Sequence, residues 1–257
     1  MRSFIYFLVV LFASMALYPQ LQTQKPNESI KSFSKAKQYL QKVIYGEDSL
    51  RKTFYCGCSY SEKLNVDFES CGYAVRKNKK RAKRVEWEHV VPASTFGKHF
   101  PEWKNGHPEC VDSKGKPFKG RNCASKMSKQ FQLMQADMYN LVPAVGEINA
   151  DRSDFKYGII PGEERNYGEC DFEVSDKTAE PTEKIRGDIA RIYMYMDSAY
   201  PGFGIINEKN RKMFNEWNDS DPVTLEECER GEKIEKTQGN TNLILKSQCA
   251  GLLSFKP

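Results

Sequence analysis

Within Arg84-Val85-Glu86-Trp87-Glu88-His89-Val90-Val91-Pro92 a carboxylate and an imidazole stand side by side at the end of a short apolar run. Histidine is scarce in this chain, with three among 257 residues, so its place beside Glu88 invites a chemical reading. An unperturbed imidazole titrates near ~6.5, which leaves a proton-accepting form abundant at neutral pH. A positioned general base contributes ~10²–10⁴-fold to a rate. Phosphate esters need far more than that, and a bound cation is the usual source of the remainder. Glu88 could hold one. For an isolated Glu-His pair, the plain alternative is a strand whose polar residues face solvent.

The surroundings favour the chemical reading. Directly upstream, Arg76-Lys77-Asn78-Lys79-Lys80-Arg81-Ala82-Lys83-Arg84 carries seven cations in nine residues. Lys and Arg near phosphates release condensed counterions whatever the base sequence, so Arg76, Lys77, Lys79, Lys80, Arg81, Lys83 and Arg84 are candidate nucleic-acid contacts. Magnesium prefers oxygen ligands and keeps several waters, so one carboxylate and one amide oxygen would suffice to hold it. Asn140 and Asn149 both qualify as the amide, and spacing does not choose between them. Arg121 is a candidate to bind phosphate charge. His99 and His107 are expected on loop surface, Asp151 and Arg152 in an ion pair or turn, and Trp87 in the core.

The elements that must position these groups can be sketched from periodicity. Val85, Trp87, His89 and Val91 alternate with Glu86, Glu88 and Val90, a strand pattern stopped by Pro92. Neighbours on an ideal strand face opposite sides, so Glu88 and His89 can share a site only where the strand ends or bulges. Phe33, Ala36, Leu40, Val43 and Ile44 predict an amphipathic helix from Ser29 to Gly46. Residues 53–60 and 71–75 are expected to be extended. The stretch from His99 to Cys123, rich in Gly, Lys and Pro, reads as a long surface loop that Cys110 and Cys123 could pin.

Met127, Phe131, Met134, Met138 and Leu141 step as the buried face of one helix. Val142 to Asp154 shows little periodicity. Residues 155–175 read as short strands and turns, with a bend at Pro161-Gly162. Ile185, Ile189, Ile192 and Met196 mark a buried helix, and Met213, Phe214 and Trp217 a shorter one. Asp221-Pro222 is expected to cap and open a last helix. No internal repeat interrupts this pattern, which indicates a single α+β domain over residues 29–257 after a flexible lead-in at 18–28.

Met1-Arg2-Ser3 followed by the apolar run Phe4 to Leu17 has the form of a secretory signal peptide, here placed approximately at 1–17. The run is short of the ~20 residues of a membrane span, so no membrane association is expected after cleavage. The eight cysteines, Cys56, Cys58, Cys71, Cys110, Cys123, Cys170, Cys228 and Cys249, form an even set. Behind a signal peptide they predict four disulfides in an oxidising compartment, with Cys56 and Cys58 reaching different partners. A zinc site is disfavoured because no Cys-x-x-Cys pair occurs. The net charge of +5 says less than its distribution does.

The chain resembles the endonuclease I family of periplasmic and secreted bacterial nucleases, which use a ββα-metal (His-Me finger) active site. The resembling residues are Phe54-Tyr55-Cys56-Gly57-Cys58, Ser70-Cys71-Gly72-Tyr73, Val75-Arg76-Lys77-Asn78 and Glu86-Trp87-Glu88-His89-Val90-Val91-Pro92-Ala93. They continue with Gly120-Arg121-Asn122-Cys123-Ala124, Asp137-Met138-Tyr139-Asn140-Leu141-Val142-Pro143 and Gly146-Glu147-Ile148-Asn149-Ala150-Asp151-Arg152. The resemblance implies a ββα-metal core within the α+β domain, with Glu88 and Asn149 as magnesium ligands. It also implies His89 as the base that activates water and Arg121 on the scissile or product phosphate. Manganese or calcium could stand in for magnesium. The implied activity is sequence-nonspecific cleavage of DNA, and of RNA, to 5′-phosphate products by a monomer in the periplasm or outside the cell. The segment between Phe100 and Arg121 is longer than the family pattern.

Two other classes compete with an endonuclease. A disulfide-stabilised cationic protein that binds polyanions without cleaving them would explain the basic run, but not the Glu-His-Asn set. A cysteine hydrolase would need a free thiol, against the even cysteine count.

Overall fold

The computed structural model describes residues 23–162 and 164–253, so the leader expected at 1–17 lies outside the described residues. The chain opens with α1 (Phe33–Tyr39), capped by the Ser32 hydroxyl accepting from Lys35 N–H at 3.1 Å. It runs on through a π-helical turn over Leu40–Ile44, closed by Tyr45 N–H on Leu40 O. The wider turn changes the phase of the stripe. Ala36, Leu40 and Ile44 are buried, while Val43, read as part of that face, is 46% exposed. The preceding residues are not a flexible lead-in where they are described. Asn27 is buried, and its amide donates to Ile30 O and Leu133 O, which fixes the chain before α1.

Segments 53–60 and 71–75 form turns and single bridges rather than strands: Lys52 pairs with Ser59, Tyr60 with Val66, and Tyr73 with Gly168. The basic run contains the short α2 (Lys79–Ala82), capped by Asn78, and leads into β1 (Val85–His89). Next come α3 (Ala93–Gly97), α4 (Pro101–Lys104), α5 (Arg121–Met127) and α6 (Lys129–Gln135). The long surface stretch therefore carries a helical turn of its own. The Cys110–Cys123 disulfide pins it.

The stripe from Met127 to Leu141 is not one helix. Ser128 sits in extended backbone and caps α6, and Asp137 caps a 3₁₀ turn at Met138–Asn140. Both residues offer the backbone a better partner than a continuous helix would. Phe131, Met134, Met138 and Leu141 are nevertheless all fully buried.

The 3₁₀ turn delivers the chain into β2 (Leu141–Val145), which pairs antiparallel with β1 in a register that sets Glu88 opposite Val142 and His89 opposite Leu141. Immediately afterwards α7 (Gly146–Arg152) folds back on both strands. These three elements form a ββα unit. A second sheet has the order β3 (Lys156–Tyr157), β5 (Thr178–Pro181), β4 (Phe172–Ser175), with β5 parallel to β3 and antiparallel to β4.

The C-terminal part is helical: α8 (Arg186–Ala199), α9 (Glu208–Ser220), α10 (Leu225–Gln238) and α11 (Leu243–Leu253). Asp221 is not the cap of the next helix. Thr224 caps α10, and the Asp221 carboxylate accepts from Gly187 N–H at the start of α8 at 2.7 Å. A further helix, α11, follows α10 and is joined to it by Cys228–Cys249.

One apolar core runs from Leu40 and Ile44 through Val90, Val91, Phe131 and Val142 to Ile189, Tyr195 and Phe214. The remaining disulfides are Cys56–Cys170 and Cys58–Cys71, so Cys56 and Cys58 do take different partners, and no free cysteine is left. That removes the cysteine hydrolase. The fold is a single α+β domain. Among the described residues, no helix is long and apolar enough to cross a membrane.

Candidate active site

A cavity of about 980 Å³ runs along β1, and its lining includes Glu88, His89, Arg121 and Asn149. The four residues singled out from the sequence thus face one space. β1 has β2 on one edge only, so the cavity meets side chains from both faces of the strand. The strand also ends where it must. Val90 N–H makes one more in-register bond, to Asn140 O just before β2, and beyond it Arg152 takes the carbonyls of His89 at 2.8 Å and Val90 at 2.6 Å. Glu88 and His89 are 4% and 6% exposed, which places both at the floor.

His89 has a defined tautomer. Its Nε2 lies 2.8 Å from the Gln135 backbone carbonyl. A carbonyl only accepts, so Nε2 carries the proton and Nδ1 keeps a bare lone pair. Burial, and then the positive Arg121 nearby, push this imidazole down to about 3. It therefore stays neutral and able to accept a proton. The Phe33 ring of α1 packs 4.9 Å from it.

Glu88 sits in an apolar setting that pushes its carboxyl up to about 7, against the pull of Arg152. Arg152 donates to Glu88 Oε1 at 2.8 Å and stacks on Tyr157 with 4.6 Å to the ring centre. Sequence reading placed Arg152 in an ion pair or a turn; its partner is Glu88 rather than the adjacent Asp151. Its position one helical turn after Asn149 was the available signal, since residues three apart share a helix face. Asp151 instead binds Lys77, Arg76 and the Tyr167 hydroxyl.

The two asparagines separate cleanly. Asn140 is fully buried, and its amide both accepts from Val91 N–H at 2.7 Å and donates to Val91 O at 3.0 Å. It is committed to holding the chain after β1. Asn149, half-buried on α7, donates its Nδ2 to Glu86 Oε2 at 2.8 Å. That leaves the amide oxygen as the end available to a cation. Glu88 and Asn149 together offer oxygen donors only. Among the described residues no three His, Cys, Asp or Glu side chains cluster as an all-protein metal cage would require. The donor set fits a hydrated hard cation such as magnesium.

Arg121 opens α5 and packs over Phe33 at 5.1 Å. Its Nε reaches Gln135 Oε1 at 3.5 Å, while one terminal nitrogen is buried with no hydrogen-bond partner. A buried donor without a partner is costly, and an anion entering the cavity would relieve it.

The basic run divides. Arg76 and Lys77 are held on Asp151, and Arg81 and Arg84 on Glu86. Lys79, Lys80 and Lys83 are exposed and make no ion pair among the described residues. His99 and His107 are exposed, and Trp87 is buried.

The profile of the family described as Endonuclease I matches this chain over residues 16–248. The chain belongs to the endonuclease I family. It is an enzyme, a nuclease. It is 39% identical to an "Extracellular deoxyribonuclease" of Aeromonas hydrophila, over 86% of this chain and 91% of that one. A "Periplasmic deoxyribonuclease" of the same organism is 38% identical over 92% of this chain and 94% of its own. An "Endonuclease-1" of Buchnera aphidicola is 41% identical, covering 77% of this chain and 74% of its own. The compartments in the Aeromonas names agree with the export expected from the N-terminal run and with the four disulfides.

Proposed function

We infer that this protein is a periplasmic or extracellular, magnesium-dependent endonuclease that hydrolyses DNA, and RNA as well, without sequence preference and acting as a monomer. The single observation that carries this reading is the meeting of Glu88, His89, Arg121 and Asn149 on one cavity, reached from β1, α5 and α7. The relatives named deoxyribonucleases supply the substrate class.

In this reading Glu88 and Asn149 would hold the cation through oxygen. Bound there, magnesium would offset phosphate charge and assist the departing oxygen. Arg121 grips the phosphate with its unpaired terminal nitrogen. His89 Nδ1 takes a proton from a water molecule, whose oxygen attacks phosphorus as the bond to the 3′ oxygen breaks, and the departing 3′ oxygen takes up a proton from solvent. The phosphate stays on the 5′ side of the next nucleotide. The Gln135 carbonyl keeps the imidazole in the correct tautomer throughout and stabilises the imidazolium once it forms. The contacts reach phosphates rather than base edges, which gives affinity without sequence readout.

The test is a plasmid-degradation assay on the mature protein with DNA and RNA. His89→Ala is expected to lower cleavage by ~10²–10⁴-fold. EDTA should stop it. Wild-type rates in His89→Ala would overturn the role of the base, and undiminished cleavage in EDTA would overturn the cation.

A further inference from the structure

Glu86 lies between the basic run and Asn149, and the hydrolytic step leaves it unused. It precedes Glu88 by two positions on β1, so the two carboxylates project from the same face of the strand. Its side chain is 17% exposed and takes five hydrogen bonds. Arg81 binds both oxygens, Nε at 2.9 Å and a terminal nitrogen at 2.7 Å. Arg84 binds Oε1 twice, at 3.0 and 2.7 Å. The fifth donor is Asn149 Nδ2, at 2.8 Å on Oε2.

The backbone is built to bring these groups together. Gly146 N–H donates to Arg84 O, and a Cβ on Gly146 would stand 2.5 Å from Arg81 O and 3.1 Å from the Glu86 carboxyl carbon. Only glycine lets α7 start that close to the end of the basic segment.

We propose that Glu86 is a positioning residue with two linked effects, resting on the cation site argued above. By accepting from Nδ2 it fixes the Asn149 amide so that the oxygen, and not the NH₂ group, is presented to the cation. By occupying Arg81 and Arg84 it withholds two guanidinium groups that line the cavity from nucleic-acid phosphates. Without Glu86 the asparagine amide can turn over, and an NH₂ group facing a cation repels it. The same loss releases two positive charges beside the cavity.

The two effects have opposite signs in experiment, which a general loss of structure would not produce. Magnesium alone is titrated calorimetrically into wild-type protein, Asn149→Ala and Glu86→Ala. Binding of a short duplex DNA is then measured in EDTA over a range of sodium chloride. Glu86→Ala should weaken magnesium binding by roughly 10–100-fold, as loss of an outer partner of a metal ligand does. It should also bind DNA more tightly in EDTA, with the log–log salt slope steeper by up to about 2, since each released cation adds ~0.9.

Magnesium affinity equal to wild type in folded Glu86→Ala, or an unchanged or shallower salt slope, overturns the proposal alone. Should wild type take up no magnesium, or Asn149→Ala bind it as well as wild type does, the cation site and the proposal fall together. Circular dichroism shows whether Glu86→Ala is folded. If it is not, Glu86→Gln, which keeps an oxygen to accept from Asn149 and loses the charge that holds Arg81 and Arg84, must steepen the salt slope in EDTA, and an unchanged slope in that variant overturns the proposal.

Discussion

Two asparagines nine positions apart show how strongly a residue's role depends on what its amide already holds. Asn140 spends both ends of its amide on Val91, at 2.7 and 3.0 Å, inside a fully buried setting. Replacing it with alanine leaves a buried N–H and a buried C=O without partners, at about 1–3 kcal/mol each. Asn140→Ala is therefore expected to lose about 2–6 kcal/mol in urea unfolding. Asn149→Ala gives up one half-buried contact to Glu86 and should stay within about 1 kcal/mol of wild type. Cleavage should rank the variants the other way. Asn149→Ala should fall by roughly 10² or more, the size expected when an oxygen ligand to a catalytic cation is removed. Folded Asn140→Ala should keep most of its rate. The same order in both assays would contradict the assignment. Sequence spacing could not separate these residues, because both lie near the end of an apolar stretch. What separates them is a contact across 49 positions.

At the scale of elements, α7 works as a bracket between β1 and the basic segment. Its Glu147 is buried and accepts four hydrogen bonds, from the Tyr73 hydroxyl and from the backbone N–H groups of Arg76, Lys77 and Asn78. Burial alone would raise this carboxyl. The amides of Asn78 and Lys77, then Tyr73 and Arg76, more than offset it and hold the group below its usual range. A folded-state value below the unfolded one stabilises the fold above the unfolded pKa, near ~4.3, and is lost as pH falls through the folded value. Glu147→Gln should thus cost about 2–4 kcal/mol at neutral pH. The gap from wild type should narrow as pH drops below about 4. A gap independent of pH, in denaturant melts across that range, would count against an ionised Glu147.

The same element shows why part of the fold was hard to read. β1 announces itself by alternation and a terminal proline. β2 is buried at every position, so Leu141–Val145 shows no period, and the five residues are too few to tell strand from helix. On α7 the buried positions are Gly146, Glu147, Ile148 and Arg152, and the two polar members find their partners on other segments, Glu147 on residues 73–78 and Arg152 on β1 and Val90, so the helix shows no hydrophobic stripe. The helix stripe from Met127 to Leu141 marked the buried positions well and the element badly, because Ser128 and Asp137 interrupt it with caps. Glu88, His89, Arg121 and Asn149 were identified from residue type, local setting and family likeness, and they share one cavity. Glu86 and Gln135 were missed, and Arg152 was placed in an ion pair without its partner Glu88, since what these residues do is set by partners 46 to 64 positions away.

For the whole molecule, the four disulfides divide between holding the chain together and holding the site in place. Cys56–Cys170 spans 114 positions and ties the turn that donates Phe54 N–H to Pro143 O in β2 to the segment entering β4. Cys110–Cys123 spans 13 positions and fastens the long surface stretch to α5, two residues after Arg121. On the loop-closure argument the first cross-link removes about 5 kcal/mol of unfolded-state freedom and the second about 3 kcal/mol. Replacing both cysteines of each pair by serine should rank the two in that order by chemical denaturation. Catalysis should rank them in reverse. Releasing Cys123 loosens the helix start that aims Arg121 into the cavity, and a shift of about 1 Å there can cost ~10²-fold. The Cys56–Cys170 variant, once folded, leaves α7 hydrogen-bonded to β1 and leaves α5 and β1 both bonded to Gln135, and should cleave at close to the wild-type rate. If the short cross-link instead proved the larger contributor to stability and the lesser to catalysis, Arg121 would owe its position to packing on Phe33 and Gln135 alone.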